Sequence, residues 1–270
     1  MTERIDFAHD AFRGTADFYA RFRPPYPGPL LDDLAERVRP SGRGRMVDLA
    51  CGTGQVALPL AGHFAEVIAV DREPEMVATG ERLAAERGVR NVAWRTGDAE
   101  ALDLPAGSCE LVTIGSAFHR LDRPAVARRA FTWLCPGGTI AVLAAYGLWD
   151  VDAPWARAIV RAVAPFQPPR RRAEAAAVAA RDRPQADILA EAGFADLEDR
   201  EYTSPTTWTA ADVVGYLLST SQCSPSAVGA ERDAFEAAVR EALAGAPEHR
   251  LDLGFRCLSG RKPVGPPRPG

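Results

Sequence analysis

Gly52-Thr53-Gly54-Gln55-Val56-Ala57 fits the spacing G-x-G-x-x-G/A, and Asp71 follows 19 residues after Gly52. Glycines at such a turn bring a bare backbone against a ligand, and an acid at the end of the next strand grips a ribose hydroxyl pair. Taken alone the pattern fits a dinucleotide, or a strand-to-helix turn that holds nothing. Three neighbours narrow it. Asp48 lies inside the preceding apolar run, where a carboxylate repels a pyrophosphate but suits a cationic ammonium or a water bound to one. Asp98, in Gly97-Asp98-Ala99, can accept from the exocyclic amine of adenine. The stretch Gly115-Ser116-Ala117-Phe118-His119-Arg120-Leu121-Asp122 is polar and aromatic. The ligand implied has an adenosine end and a zwitterionic amino-acid end without phosphate, which describes S-adenosylmethionine. A nicotinamide-dependent oxidoreductase fits the glycines but conflicts with Asp48.

The elements that must position these residues follow from short apolar runs at 46–50, 66–71, 91–96, 109–115 and 139–145. Helical patterns at 74–88 and 124–134 separate some of them, the second introduced by Asp122 as N-cap ahead of Pro124. Strands alternating with helices, and apolar on both faces, predict a parallel sheet covered on both sides. An Ala/Arg-rich region then runs from 153 to 192 and ends at Gly193. A strand is expected at 194–203, a helix opened by a capping box at Thr209–Asp212, a further helix at 230–244, and a last strand near 251–259.

Bulk properties bound the partners. The chain has 270 residues, a formal charge of −4 and 25% charged residues, enough length for a large core and no net basic surface for nucleic acid. Arg170-Arg171-Arg172 is a short basic run of the kind that usually faces solvent. Five scattered cysteines without a C-x-x-C pair imply a reducing compartment, with neither a disulfide framework nor a zinc site. No signal-like h-region and no apolar run of about 18 residues is present. The expectation is a cytoplasmic protein, monomer or homodimer, with a small-molecule substrate and no nucleic-acid, membrane or metal partner.

The motifs VDLACGTG, VIAVDREPEM, GDAEAL, AFHRLD and LCPGGTIAVL resemble, in order and spacing, those of class I S-adenosylmethionine-dependent methyltransferases, over about residues 16–145. The resemblance implies an α/β, Rossmann-like, doubly wound seven-stranded sheet whose last strand is antiparallel. It implies an N-terminal lid over 1–30, a core over 31–203, a helical cap over 204–250 and the last strand over 251–262; the Pro-rich composition of 263–270 predicts a disordered tail. It further implies that Ala50, Gly52 and Gly54 make room for the methionine part, with Asp48 nearby. Asp71 takes the ribose, Arg72 and Met76 flank the adenine, Asp98 and Ala99 bind its edge, and Ser116 sits where donor and acceptor meet. Arg23 of the lid reaches the methionine carboxylate and Tyr19 the sulfonium region. The chain departs from the family at Ala50, usually glycine, and at Phe118-His119-Arg120, where relatives often read F-H-W.

Methyl transfer to a hydroxyl or an aromatic carbon also needs a proton acceptor. His119 after the fourth strand is the candidate base, with Tyr19 next; His119 alternatively positions the cofactor or packs beneath the pocket. Arg120 pairs with an acidic substrate group or is simply exposed. Tyr26, Tyr146, Trp149, Trp155, Trp208 and Tyr216, with Phe166, either line a pocket for a planar apolar acceptor or pack in the core. The tetrapeptide Asn/Asp-Pro-Pro-Tyr of enzymes that methylate nucleobase or glutamine nitrogens is missing. The expected activity is S-adenosylmethionine-dependent methylation of O, N or an activated aromatic carbon in specialised metabolism, with S-adenosylhomocysteine as product. A catalytically lapsed binding module is the alternative.

Overall fold

In a computed structural model, residue 5 and residues 7–181, 183–246 and 248–265 are described. Seven strands form one sheet: β1 (Arg45–Leu49), β2 (Glu66–Asp71), β3 (Val92–Thr96), β4 (Cys109–Gly115), β5 (Leu134–Ala145), β6 (Ala195–Thr209) and β7 (Glu248–Arg261). Their order is β3-β2-β1-β4-β5-β7-β6, with β7 antiparallel to both β5 and β6 and the other pairings parallel. This is the doubly wound α/β sheet with an antiparallel last strand that the motifs imply. The helices are α1 (Ala16–Phe22), α2 (Gly28–Val38), α3 (Ala57–Leu60), α4 (Pro74–Glu86), α5 (Arg123–Trp133), α6 (Pro154–Val163), α7 (Pro169–Ala179), α8 (Gln185–Glu191), α9 (Ala210–Leu218), α10 (Pro225–Val228) and α11 (Arg232–Ala242).

Local chemistry sets several of these boundaries. Asp122 accepts from the Ala125 amide at 3.1 Å and starts α5. Thr209 and Asp212 exchange the two bonds of a capping box and start α9. Other boundaries differ from those expected. The lid limit at residue 30 falls inside α2, which begins at Gly28. Residues 204–209, expected in the cap, continue β6, and β7 starts at Glu248 rather than 251. Pro205 hides this extension in the sequence, because proline interrupts interior strands. β6 is an edge strand, where the missing N–H costs no ladder bond. Of the tail over 263–270, residues 266–270 lie outside the described residues.

Alternation along the inner strands feeds two apolar layers. Val47, Leu49, Ile68, Val70, Val112 and Ile114 face α5 and α8. Met46, Val67, Ala69 and Leu111 face the other way, toward Leu30 and Leu34 of α2. That second layer continues without a break into Ile159 and Val163 of α6, Leu217 of α9, and Phe235 and Val239 of α11. The cap therefore has no core of its own. Each of these side chains larger than alanine contributes about 1.5–3 kcal/mol by leaving water.

The N-terminal segment joins the cap to the sheet. Phe22 of α1 fills the space beside Gly215 of α9, where a Cβ would lie 2.3 Å from its ring. Arg23 donates to the Ser219 carbonyl at 3.3 Å, and the Arg232 guanidinium lies 5.1 Å over the Phe18 ring. Upstream, residues 7–15 form a strap. The Ala8 amide donates to Glu174 Oε1 at 2.8 Å, the Gly14 amide to Glu75 Oε2 at 2.8 Å, and Asp10 pairs with Arg171 at 2.9 Å.

Candidate active site

A cavity of about 240 Å³ opens at the carboxyl ends of β1, β2 and β4, beneath the strap. In open α/β sheets ligands bind at this end, where the strand order reverses. Here the reversal is between β1 and β4.

The floor is the turn after β1. Ala50, Gly52 and Gly54 have φ of 52°, 54° and 85°. For Ala50 the left-handed region carries a steric cost of about 1–2 kcal/mol that glycine avoids. Replacing Ala50 by glycine is expected to raise stability by about 0.5–1 kcal/mol, net of glycine's larger entropy loss, measured by chemical denaturation. An unchanged or lower stability would show the turn to be unstrained. Gly52 borders the cavity, with Tyr19 above it at 3.5 Å from the position of a Cβ. Gly54 does not border it: the Trp94 ring occupies its Cβ space, 2.6 Å away. Its role is close packing, which corrects the expectation that it makes room for a ligand.

Asp71 ends β2 and ties the floor together. Its Oδ2 accepts from the Gly52 amide at 2.8 Å and its Oδ1 from the Glu73 amide at 2.9 Å. Burial raises its pKa against these amides and the nearby Arg72. Each oxygen keeps a further lone pair, and the carboxylate borders the cavity. Asp98 accepts from the Glu100 amide at 2.9 Å and borders the same space with Ala99, Met76, Arg72 and Ser116.

Asp48 is placed differently. Alternation puts it on the Met46 face of β1, 1% exposed and away from the cavity wall. Thr113 donates to its Oδ1 at 2.7 Å, and its Oδ2 has no partner. Burial, only partly offset by Thr113 and the Ala57 amide, pushes its pKa up to about 7. A carboxyl with a raised folded pKa holds its proton where the unfolded chain has lost it. Stability should therefore fall as pH rises from about 4 to about 7 and level off above. Asp48→Asn should remove that slope, read as melting temperature against pH. A parallel shift at every pH would refute it.

Tyr19 lies over the floor, edge-on to Phe12 with ring centroids 6.4 Å apart, and burial raises its pKa. Arg23 does not border the cavity; its guanidinium sits 5.1 Å from the Tyr19 ring and 5.0 Å from the Tyr216 ring, and its buried Nε has no partner. Tyr26 is buried behind Ser116, its hydroxyl 3.0 Å from Ser116 Oγ, and burial raises its pKa.

His119 does not border the cavity. Burial and the charges of Arg120, Arg181 and Arg123 lower its pKa to about 4, so it is a weak base at neutral pH. Its neighbour Arg120 does border the cavity. The aromatic acceptor pocket is not there either: Tyr146, Trp149, Trp155, Trp208 and Tyr216 lie outside the wall. Trp149 and Trp208 pack on Tyr216 at 6.4 and 4.8 Å, and Trp155 lies tilted against His249 of β7 at 4.8 Å, so these rings join the cap to the sheet. The apolar wall comes instead from Phe7, Ala8, Ala11 and Phe12 of the strap. The signal was their i, i+1, i+4, i+5 spacing within FAHDAF, masked by the charged residues around it.

Residues 46–138 match the family model described as a methyltransferase domain. The fold is similar to that of a putative type II methyltransferase from Anaeromyxobacter dehalogenans, with TM-score 0.59, 25% identity, and coverage of 91% of this chain and 99% of that one. Residues 46–138 therefore form a methyltransferase domain, set in a sheet of the class I methyltransferase type. Among curated relatives, it is 30% identical over 116 residues to the ubiquinone/menaquinone biosynthesis C-methyltransferase UbiE of Zymomonas mobilis, covering 42% of this chain and 48% of that one. It is 36% identical over 118 residues to the nocamycin O-methyltransferase of Saccharothrix syringae, covering 42% of each. The chain spans about half the length, or less, of these curated relatives.

Proposed function

We propose that the protein transfers a methyl group from S-adenosylmethionine to a small-molecule acceptor. The observation that carries this reading is Asp71, which orders the β1 turn through the Gly52 amide while presenting its remaining lone pairs to the cavity. A carboxylate so placed fits a ribose diol, and Asp98 beside Ala99 on the same wall fits the edge of an adenine. The cofactor supplies an electrophilic methyl on a sulfonium. Asp71 binds the ribose, Asp98 and Ala99 the adenine edge, and Met76 and Arg72 its faces. Gly52 leaves room for the methionine end, and Ser116 and Tyr19 border the point of transfer. In-line displacement at carbon draws much of its acceleration from alignment, which a floor pinned by backbone bonds and a strap closed above it provide.

His119 is set aside as base. An acceptor that attacks through a lone pair, or one already ionised, suits this cavity better than one that must be deprotonated by histidine. No described helix is long and apolar enough to cross a membrane. Calorimetric titration of the full chain should show S-adenosylhomocysteine binding and no binding of NAD. Binding of NAD alone would replace the methyl-transfer reading with a dehydrogenase.

A further inference from the structure

The cavity wall contains one charged group whose surroundings call for a ligand. The Arg120 guanidinium is set among the strap rings, 4.1 Å from the centroid of Phe7 and 5.1 Å from that of Phe12. Ring faces attract a cation but accept none of its five N–H groups. Among the described residues, no carboxylate or carbonyl oxygen pairs with this guanidinium, and the nearby acids are committed elsewhere. Glu174 holds the Ala8 amide and Arg171, Asp10 holds Arg171, and Asp71 holds the two floor amides. Burial has already pulled the Arg120 pKa down to about 10, in line with a charge short of partners. A half-buried guanidinium that meets rings rather than oxygens is short of acceptors, and a ligand that supplies them gains by it.

We propose that Arg120 is the anion-binding point of the acceptor subsite and that the acceptor is a carboxylic acid. Its carboxylate pairs with the guanidinium fork, and its apolar body lies against Phe7 and Phe12. The assignment rests on the methyl-transfer reading and adds the class of acceptor. A single planar fork matches the two oxygens of a carboxylate. A phosphate generally draws several cations or backbone amides together. Here Arg171 is taken up by Asp10 and Glu174, and Arg72 Nη2 is bonded to His9 Nδ1 at 3.0 Å. The anion anchors the acceptor and is not the group methylated, because pairing with a guanidinium lowers its nucleophilicity. Specificity then lies in the strap and the β4 loop, not in the aromatic cap.

The test is calorimetry on the full chain saturated with S-adenosylhomocysteine. Indole-3-acetate and octanoate are each compared with their primary amides, and phenyl phosphate is run alongside, on wild type, Arg120→Gln and Arg120→Lys. At least one acid should bind wild type about tenfold more tightly than its amide, a difference that Arg120→Gln erases and Arg120→Lys partly keeps. S-adenosylhomocysteine affinity should stay within about twofold in both variants. Equal binding of acids and amides to wild type overturns the proposal, and tighter binding of phenyl phosphate overturns the carboxylate in favour of a phosphate. If Arg120→Gln weakens S-adenosylhomocysteine itself and leaves the acid–amide difference intact, Arg120 merely anchors the strap and the proposal fails. Failure of S-adenosylhomocysteine to bind wild type is a separate result that defeats the methyl-transfer reading.

Discussion

Asp71→Ala is expected to weaken S-adenosylhomocysteine binding by about 10- to 100-fold. The change leaves a ribose hydroxyl pair without its acceptor, and an unmade hydrogen bond of this kind costs about 1–3 kcal/mol. Two further amides lose their partner, because the same carboxylate holds Gly52 at 2.8 Å and Glu73 at 2.9 Å. The loosened turn adds to the loss on the methionine side. Asp71→Asn separates the two effects: it retains one oxygen, so it can hold one of the amides but not both, and should fall between wild type and alanine. Titration calorimetry of the three proteins gives the order. Equal affinity across them would show that the acid ending β2 has no part in cofactor binding.

Glu174→Ala is expected to release the strap. Glu174 and Arg171 are 8% and 5% exposed at their side chains, and their pairing is completed by the Ala8 amide and by Asp10. Removing one partner of a buried pair costs about 3–5 kcal/mol, because the other charge is left unpaired. Asp10 stays with Arg171, which places the expected loss at the low end, about 3 kcal/mol. That corresponds to a fall of about 100-fold in hydrogen-exchange protection at the Ala8 and Ala11 amides. Cofactor should also exchange faster, since the strap forms the roof of its cavity. Unchanged protection would mean that the strap is held by its rings alone.

The nucleotide half of the molecule was legible because backbone geometry there depends on few residue types. Glycines after an apolar run, an acid ending the next strand and an acid after the third each have a local meaning, and the fold joins them as the motifs imply. Gly54 shows the limit of such reading. A glycine required by a bulky neighbour in space, Trp94, looks the same in sequence as one required by a ligand. Asp48 shows another, since strand alternation alone, once its phase is fixed by Met46, sends that side chain into the core. The acceptor side was less legible for a related reason. The aromatic residues of the cap fit either pocket lining or core packing by sequence, and Trp208 and Tyr216, 6% and 3% exposed and packed on each other, take the second course. The strap carries little local signal because its two phenylalanines are separated by polar residues, and only long-range contacts to α7, α4 and α10 fold it across the cavity.

The shared apolar layer running from α2 through α6 and α11 bears on how the protein can be rearranged. Segments that own a separate core can be excised, exchanged between relatives or driven open on a hinge, and each melts on its own. The helices over this sheet have none of those freedoms. Heating should produce a single calorimetric transition, and chimaeras cut at the borders of 210–243 should fail to fold. A new acceptor range would then have to arise by substitution within residues 7–12, where the chain crosses the cavity without sharing that core, or in the loop after β4.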